Sequence, residues 1–427
     1  MEIVLLLTFL FVPFFLIGIS YKSFFAIIIL VMFLENSVFW IPESQIMPFN
    51  IRPVYMIFFI SLFYLIPQLL LKFSSDIKFL FHHRLLLIYY AYFSIILLTN
   101  LHYNAIEHFG QMSIGIFLYF VFVILVRKQD FDFLYKIFLL TGFLQISLGL
   151  IQVFLGILTV ETGLSFKEYI QHLDLVRYGR PFGTFVEPDF YGVFSSLFAF
   201  VFLGEYLKTK KNIYYFLSLL STILLFYGAV RGAIIGFIFG IFIFIYLLKD
   251  HIKISKIDFI TSLYIFIFSI PIFYGTIQRF LYLFRLDFWV EGFMNPRVLQ
   301  MSVSFSQFLE SPIFGNGLNA YRFLGDTYSS AVESWMPDWV ISGYDPSILT
   351  SLLNDSGIIG FILFSIFLVY FFKNIFPLSK NYFRELGLFF GVLSLFISYI
   401  FTNGLPFTFT WIIIAIVELN TKFKEQF

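Results

Sequence analysis

Long, unbroken apolar runs constrain this chain more than any other feature. A helix needs about 20 mostly apolar residues to cross a bilayer core. Runs of that kind recur at 3–19, 24–40, 53–71, 84–100, 109–126, 131–158, 189–207, 212–228, 232–248, 257–275, 348–372, 384–401 and 405–419. None alternates polar with apolar residues, so a membrane β-barrel is excluded. The expectation is an all-α polytopic membrane protein of thirteen spans, within a range of 12–14, forming one integral domain over 1–427. Composition agrees: 60% of residues are hydrophobic and 12% are charged, about half the usual share in soluble proteins. The first run lacks the basic flank and cleavage site of a signal peptide, and it reads as a span. The net charge of +1 leaves no bulk field to attract nucleic acid. With no cysteine, disulfides, thiol catalysis and cysteine-ligated zinc are all excluded.

The scarce charges can be sorted by side. Cations set orientation. One set of alternate short loops holds 18 of them, fifteen being Lys. The other set holds Arg52, Lys167, Arg177, Arg180, Arg231, Arg279, Arg285, Arg297 and Arg322. The Lys-rich set is expected on the cytoplasmic side, together with the C-terminus. The outer set contains the long segments 159–188 and 276–347 and is almost purely Arg. Arg is a planar donor fork suited to phosphate, whereas Lys is a hydrated point charge. The asymmetry points to an outer site for a phosphorylated ligand.

Within 276–347, Asn295-Pro296-Arg297 reads as a helix start. Val298, Met301, Phe305, Phe308 and Leu309 then share one face, and Gln300, Ser304, Gln307 and Glu310 the other. Pro312 and Gly315-Asn316-Gly317 end it in a turn. This predicts an interfacial amphipathic helix roofing the bundle.

Three stretches open spans that run from outside to inside. They are Arg180 through Glu187-Pro188-Asp189 to Gly192; Val230-Arg231-Gly232-Ala233; and Asp345-Pro346-Ser347 through Asn354-Asp355-Ser356-Gly357 to Gly360. Each sets polar groups at a helix N-terminus, where free N–H groups favour anions. Blander roles stand beside these. Arg231 could snorkel to headgroups, Arg180 could pair with Glu187 or Asp189, Glu187 could be solvated, and Asp345 could be only an N-cap. Glu35, near the end of the second run, is costly in a membrane, and the sequence names no partner for it. Asp130-Phe131-Asp132 is read as a charge-balanced turn beside Arg127 and Lys128, and His82-His83-Arg84 as a headgroup contact. No P-loop, zinc motif or hydrolase elbow is present.

These marks together resemble the superfamily of O-antigen ligases and Wzy-type O-antigen or capsule polymerases, over roughly residues 175–375. They are Arg180 ahead of Phe185-Val186-Glu187-Pro188; Arg231-Gly232-Ala233; Arg297 followed by Ser311-Pro312-Ile313-Phe314-Gly315-Asn316-Gly317; and Leu353-Asn354-Asp355-Ser356-Gly357-Ile358-Ile359-Gly360. Ligases of that superfamily carry a His-Asn pair where Pro346-Ser347 stands here, so the polymerase branch is the closer likeness. The resemblance implies a GT-C-like architecture in the bacterial inner membrane, with its active site facing the periplasm. It implies a glycosyltransferase without metal or other cofactor. The donor is a glycan on undecaprenyl diphosphate, and the acceptor is a sugar hydroxyl of a second lipid-linked repeat unit. Partners are these lipid-linked oligosaccharides, the bilayer and a chain-length regulator, with no nucleic acid. Arg180, Arg231 and Arg297 are then expected to bind diphosphate, and Glu187 and Asp345 to offer the catalytic base. Asp189, Tyr191, Asn316 and Arg322 would line the substrate cleft. Competing expectations are a ligase acting on lipid A–core, a flippase or other transporter of lipid-linked oligosaccharide, and a non-enzymatic scaffold. No half-to-half repeat of the kind that builds many transporters is visible.

Overall fold

In a computed structural model, residues 21–32, 83–99, 101–162, 181–185, 188–248, 296–322, 345–376 and 382–424 are described. The expected spans 3–19, 53–71 and 257–275 lie outside them, as do Glu35, Arg180 and Glu187. The described residues form eleven α-helices and no sheet. They are α1 (Tyr21–Val31), α2 (Arg84–Thr99), α3 (Tyr103–Leu125), α4 (Lys128–Thr162), α5 (Pro188–Thr209), α6 (Asn212–Tyr227), α7 (Arg231–Leu248), α8 (Pro296–Glu310), α9 (Ile348–Ile375), α10 (Phe383–Ser398) and α11 (Thr408–Lys424). Four of these contain stretches long and apolar enough to cross a membrane: Ala105–Leu125, Lys128–Phe154, Pro188–Thr209 and Ile348–Ile375.

Helix α5 forms the core, buried on nearly every face, with α6 and α10 packed along it. Its crossing with α10 is close because two glycines meet: a Cβ on Gly204 would lie 2.9 Å from the Gly387 Cα. Close backbone approach at small residues is how helices associate where lipid leaves no hydrophobic driving force. Aromatic rings fill the remaining space, such as Phe194 on Phe198 at 4.4 Å and Phe138 on Phe198 at 4.8 Å. The outer shell is apolar as well, with Leu98 76%, Phe242 70% and Val369 69% exposed. Such a surface suits a bilayer rather than water.

The helices alternate in direction as the sequence predicts. At one end, Glu205 near the end of α5 meets Arg384 at the start of α10, and Asp132 at the start of α4 joins them. At the same end, Lys422 late in α11 donates to the Val123 carbonyl late in α3 at 3.0 Å. At the other end lie the starts of α3, α5, α7 and α9. Most of the Lys-rich loops expected inside thus share one end with Arg384, and the Arg-bearing motifs share the other.

Helix α8 forms over the expected residues. Its polar face, Gln300, Ser304 and Gln307, is buried against α9. Phe305 and Leu309 point outward, 47% and 60% exposed. Because α9 presents buried polar groups to it, α8 meets them with polar side chains and leaves Phe305 and Leu309 exposed.

Candidate functional site

Three helix starts singled out in the sequence converge on the turn that follows α10. Phe190 in α5 packs edge-on against Phe407 at 4.8 Å. Gly232 at the start of α7 lies so close to Phe401 that a Cβ on it would sit 2.7 Å from the Phe401 Cβ. The Ile348 N–H of α9 donates to the Tyr399 carbonyl at 2.9 Å. The turn itself is fastened from within. Thr410 Oγ1 donates to the Gly404 carbonyl at 2.8 Å, and Trp411 Nε1 to that of Leu405 at 3.0 Å. Arg231, half-buried, is the first residue of α7, and Asp189, also half-buried, stands in the first turn of α5.

The segment leading into α5 is held by two glutamines, Gln145 and Gln152, seven residues apart and hence on one face of α4. Gln152 Oε1 accepts from the Phe182 and Gly183 N–H groups at 2.9 and 2.8 Å. Its Nε2 donates to the Gly183 carbonyl at 2.8 Å. Gln145 Nε2 donates to Thr184 Oγ1 at 2.6 Å. Tyr191, expected in a cleft, is instead fully buried, and its hydroxyl donates to the Gln145 carbonyl at 3.4 Å. The phenol is drawn inward because Gly149 and Gly183 leave room for the ring.

The deepest structure lies at α9. This helix is broken at Gly357 (φ 64, ψ −169), and the turn after α8 fills the break. Carbonyls freed at Asn354 and Asp355 accept from Asn316 N–H at 2.7 Å and Gly317 N–H at 3.2 Å. The Ile358 and Ile359 N–H groups donate to the Pro312 and Ile313 carbonyls at 2.9 and 3.4 Å. Broken helices survive inside membranes only where other protein groups take up the freed backbone, and here residues 312–317 do so. Asn316 reinforces the join, its Nδ2 donating to the Gln307 carbonyl at 2.6 Å and Asn354 Oδ1 at 2.9 Å. It therefore acts as a structural link between two segments.

Asp345 ties α8 to α9. One carboxylate oxygen accepts from Ser304. The other accepts from Thr350 Oγ1 at 2.6 Å and Ser347 N–H at 3.0 Å. The α9 N-cap is Ser347, whose hydroxyl accepts from Leu349 N–H at 3.2 Å, so the capping role considered for Asp345 passes to its neighbour. Burial pushes the Asp345 carboxyl up to about 6, against the pull of its three hydrogen bonds. Burial, with the nearby Asp345 carboxyl, also raises the Tyr321 phenol.

Behind Asp345 stands Asp355, which accepts from Ala320 N–H at 3.1 Å and Ser351 Oγ at 3.3 Å. His108 Nε2 of α3 lies 3.8 Å from its carboxylate. Nearer the surface, Arg322 pairs with Glu107 at 3.8 Å, the two side chains 37% and 28% exposed. Arg297 falls in the first turn of α8. Among the described residues, no three or more His, Asp or Glu side chains are grouped to hold a metal.

Sequence reasoning missed Gln145 and Gln152, polar residues inside the run 131–158 read for hydropathy alone, and Glu107, just ahead of the run at 109–126. The opposite end differs from expectation as well. His83, expected at headgroups, is buried, with Nε2 3.1 Å from Glu418 and Nδ1 2.9 Å from the Tyr119 hydroxyl. It leaves the surface because Glu418 on α11 and Tyr119 on α3 offer it partners in the interior.

No protein-family model, curated protein or solved structure matches this chain.

Proposed function

We propose that this chain is a glycan polymerase of the bacterial cytoplasmic membrane. It transfers a growing glycan from undecaprenyl diphosphate to the terminal sugar hydroxyl of another lipid-linked repeat unit. The observation that carries the reading is the interlock of Gly315-Asn316-Gly317 with Asn354–Gly357. Two distant motifs, chosen for their likeness to the polymerase and ligase superfamily, form one backbone unit. That unit lies at the same end of the bundle as Arg231 and the turn 181–185. In this reading that end faces the periplasm, and the C-terminus and the Lys-rich loops face the cytoplasm.

The chemistry asks for charge stabilisation on the leaving diphosphate as the C1–O bond breaks. Arg180, Arg231 and Arg297 supply bidentate donors without a metal. Asp189 and Arg322 border the cleft. Holding two lipid-linked substrates side by side supplies proximity. Of the two acids offered as base, Asp345 has its oxygens engaged by three donors, which suits it to hold the site's shape. A chain-length regulator is the expected protein partner.

Purified protein in vesicles, given only the undecaprenyl-diphosphate-linked repeat unit, should build a ladder of chain lengths. Product that forms only after lipid A–core is added would replace polymerase with ligase. Arg231→Ala and Arg180→Ala should abolish product with expression intact, and ladders from both would sink the diphosphate clamp.

A further inference from the structure

One buried pair has no part in the function just described. His108 is the neighbour of Glu107 on α3 and is 7% exposed; Asp355 is 4% exposed. The 3.8 Å between His108 Nε2 and Asp355 Oδ2 is longer than a hydrogen bond and is a distance that small movement or one bridging water closes. Ala320 N–H and Ser351 Oγ fix the carboxylate from two sides. On the far side of the ring, His108 Nδ1 is buried with no hydrogen-bond partner among the described residues. The same is true of Asn319 Nδ2, next to Ala320, and of Gln307 Nε2, whose Oε1 is held by Asn354. Buried polar atoms almost always have partners in folded proteins. Three that lack them belong to residues beside Asp355 and its chain neighbour Asn354. The partly exposed Arg322–Glu107 pair marks the route in.

An imidazole with a fixed carboxylate at one nitrogen and a free lone pair at the other is arranged to take a proton. We propose that His108 is the general base of the transferase, with Asp355 as its positioning residue; this rests on the glycosyltransferase reading. The acceptor O–H breaks and its proton goes to His108 Nδ1. The hydroxyl oxygen bonds to C1 of the donor sugar, and the C1–O bond to the lipid diphosphate breaks, its electron pair leaving with the diphosphate. Asp355 holds the Nε2–H edge and stabilises the imidazolium. The other titratable groups facing the pair are Tyr89 from α2, Asp345 ahead of α9, and Glu107 with Arg322 at the rim.

The test uses the full chain in vesicles with the undecaprenyl-diphosphate-linked repeat unit. His108→Gln should lower kcat by about 10²–10⁴-fold, the usual contribution of a general base, with KM little changed. Wild type should lose rate on the acid side as the imidazole protonates. His108→Gln should remove that acid limb, and Asp355→Asn should shift its position. Asp355→Asn keeps the side chain's shape, so its pH profile reads the pair even where His108→Gln folds poorly. Ladders at wild-type rate from His108→Gln, or an acid limb unmoved in Asp355→Asn, overturn the assignment while the polymerase reading stands. A wild-type protein that transfers no glycan to either acceptor overturns both.

Discussion

Gly315 and Gly357 meet backbone to backbone. A Cβ on Gly315 would lie 2.5 Å from the Gly357 nitrogen, and one on Gly357 would lie 2.6 Å from the Gly315 nitrogen. Both have positive φ, and Gly357 at φ 64, ψ −169 occupies a region essentially closed to other residues. Gly357→Ala is therefore expected to cost about 1–3 kcal/mol in backbone strain alone, with the overlap on Gly315 adding to it. Gly110→Ala is the control, since a Cβ there meets nothing within 4 Å; it should be neutral or stabilising by up to about 1 kcal/mol. Thermal unfolding in detergent compares the two. Equal midpoints would show that the join between the 312–317 turn and α9 tolerates a side chain.

Arg384 and Glu205 make a second long-range tie, at the opposite end. Arg384 Nε donates to Glu205 Oε1 at 2.5 Å, and its guanidinium lies 4.2 Å from the Tyr135 ring centre. Glu205 is 2% exposed. Removing one partner of a buried pair strands the other charge, at a cost of about 3–5 kcal/mol. Glu205→Ala and Arg384→Ala should each unfold at clearly lower temperature. The double variant Glu205→Leu/Arg384→Met should recover most of the loss, because no charge is left stranded. Asp132→Asn should move stability by no more than about 1 kcal/mol, since its side chain is 78% exposed. A double variant no better than the singles would mean that packing, not charge, is what the pair supplies.

The contrast between these ties and the sequence shows where reading stops. Helix positions were legible: α5, α7 and α9 begin within a residue of the runs at 189, 232 and 348, because twenty apolar residues in a row have few other solutions. Alternating direction was legible too, because Lys and Arg segregate by loop. Side-chain partners were not. Arg384 counts as one more inner cation in the sequence, yet its partner Glu205 lies 179 positions away inside an apolar run. The same holds for His83 with Glu418, and for His108 with Asp355. Hydropathy marks these residues only as exceptions, and only the packed bundle shows which exceptions meet. The partners of the polar face of α8 were hidden for the same reason. A polar face reads as water-facing unless the polar groups of α9 are known to lie opposite.

The facing of α8 can be measured. The chain has no cysteine, so single cysteines carrying spin labels report their own surroundings. Labels at Phe305 and Leu309, on the exposed face, should collide with lipid-soluble oxygen in a bilayer. Labels at Ser302 and Ser306, also exposed, mark the edges of that face. Ser304 and Gln307 are fully buried, so Ser304→Leu and Gln307→Leu should lower the unfolding midpoint, whereas Phe305→Leu should leave it nearly unchanged. Oxygen collisions absent at Phe305 and Leu309 would mean that this exposed face does not meet lipid.

Asp345 gives the pH prediction. Its carboxyl is raised from 3.8 to about 6 by burial, despite donors from Ser304, Thr350 and Ser347. A group whose folded value lies above its unfolded one favours the protonated folded state. The stabilisation is therefore complete below about pH 4, is lost as pH rises towards 6, and does not change above that. Asp345→Asn keeps an acceptor for Thr350 and Ser347 and cannot titrate. The difference in unfolding free energy between the full chain and this variant should slope against the wild type from about pH 4 to 6 and be flat from about pH 7 to 8. Other acids contribute equally to both proteins, so the difference isolates Asp345. Parallel stability curves from about pH 4 to 8 would show that its three hydrogen bonds offset burial and leave the carboxyl where the unfolded chain has it.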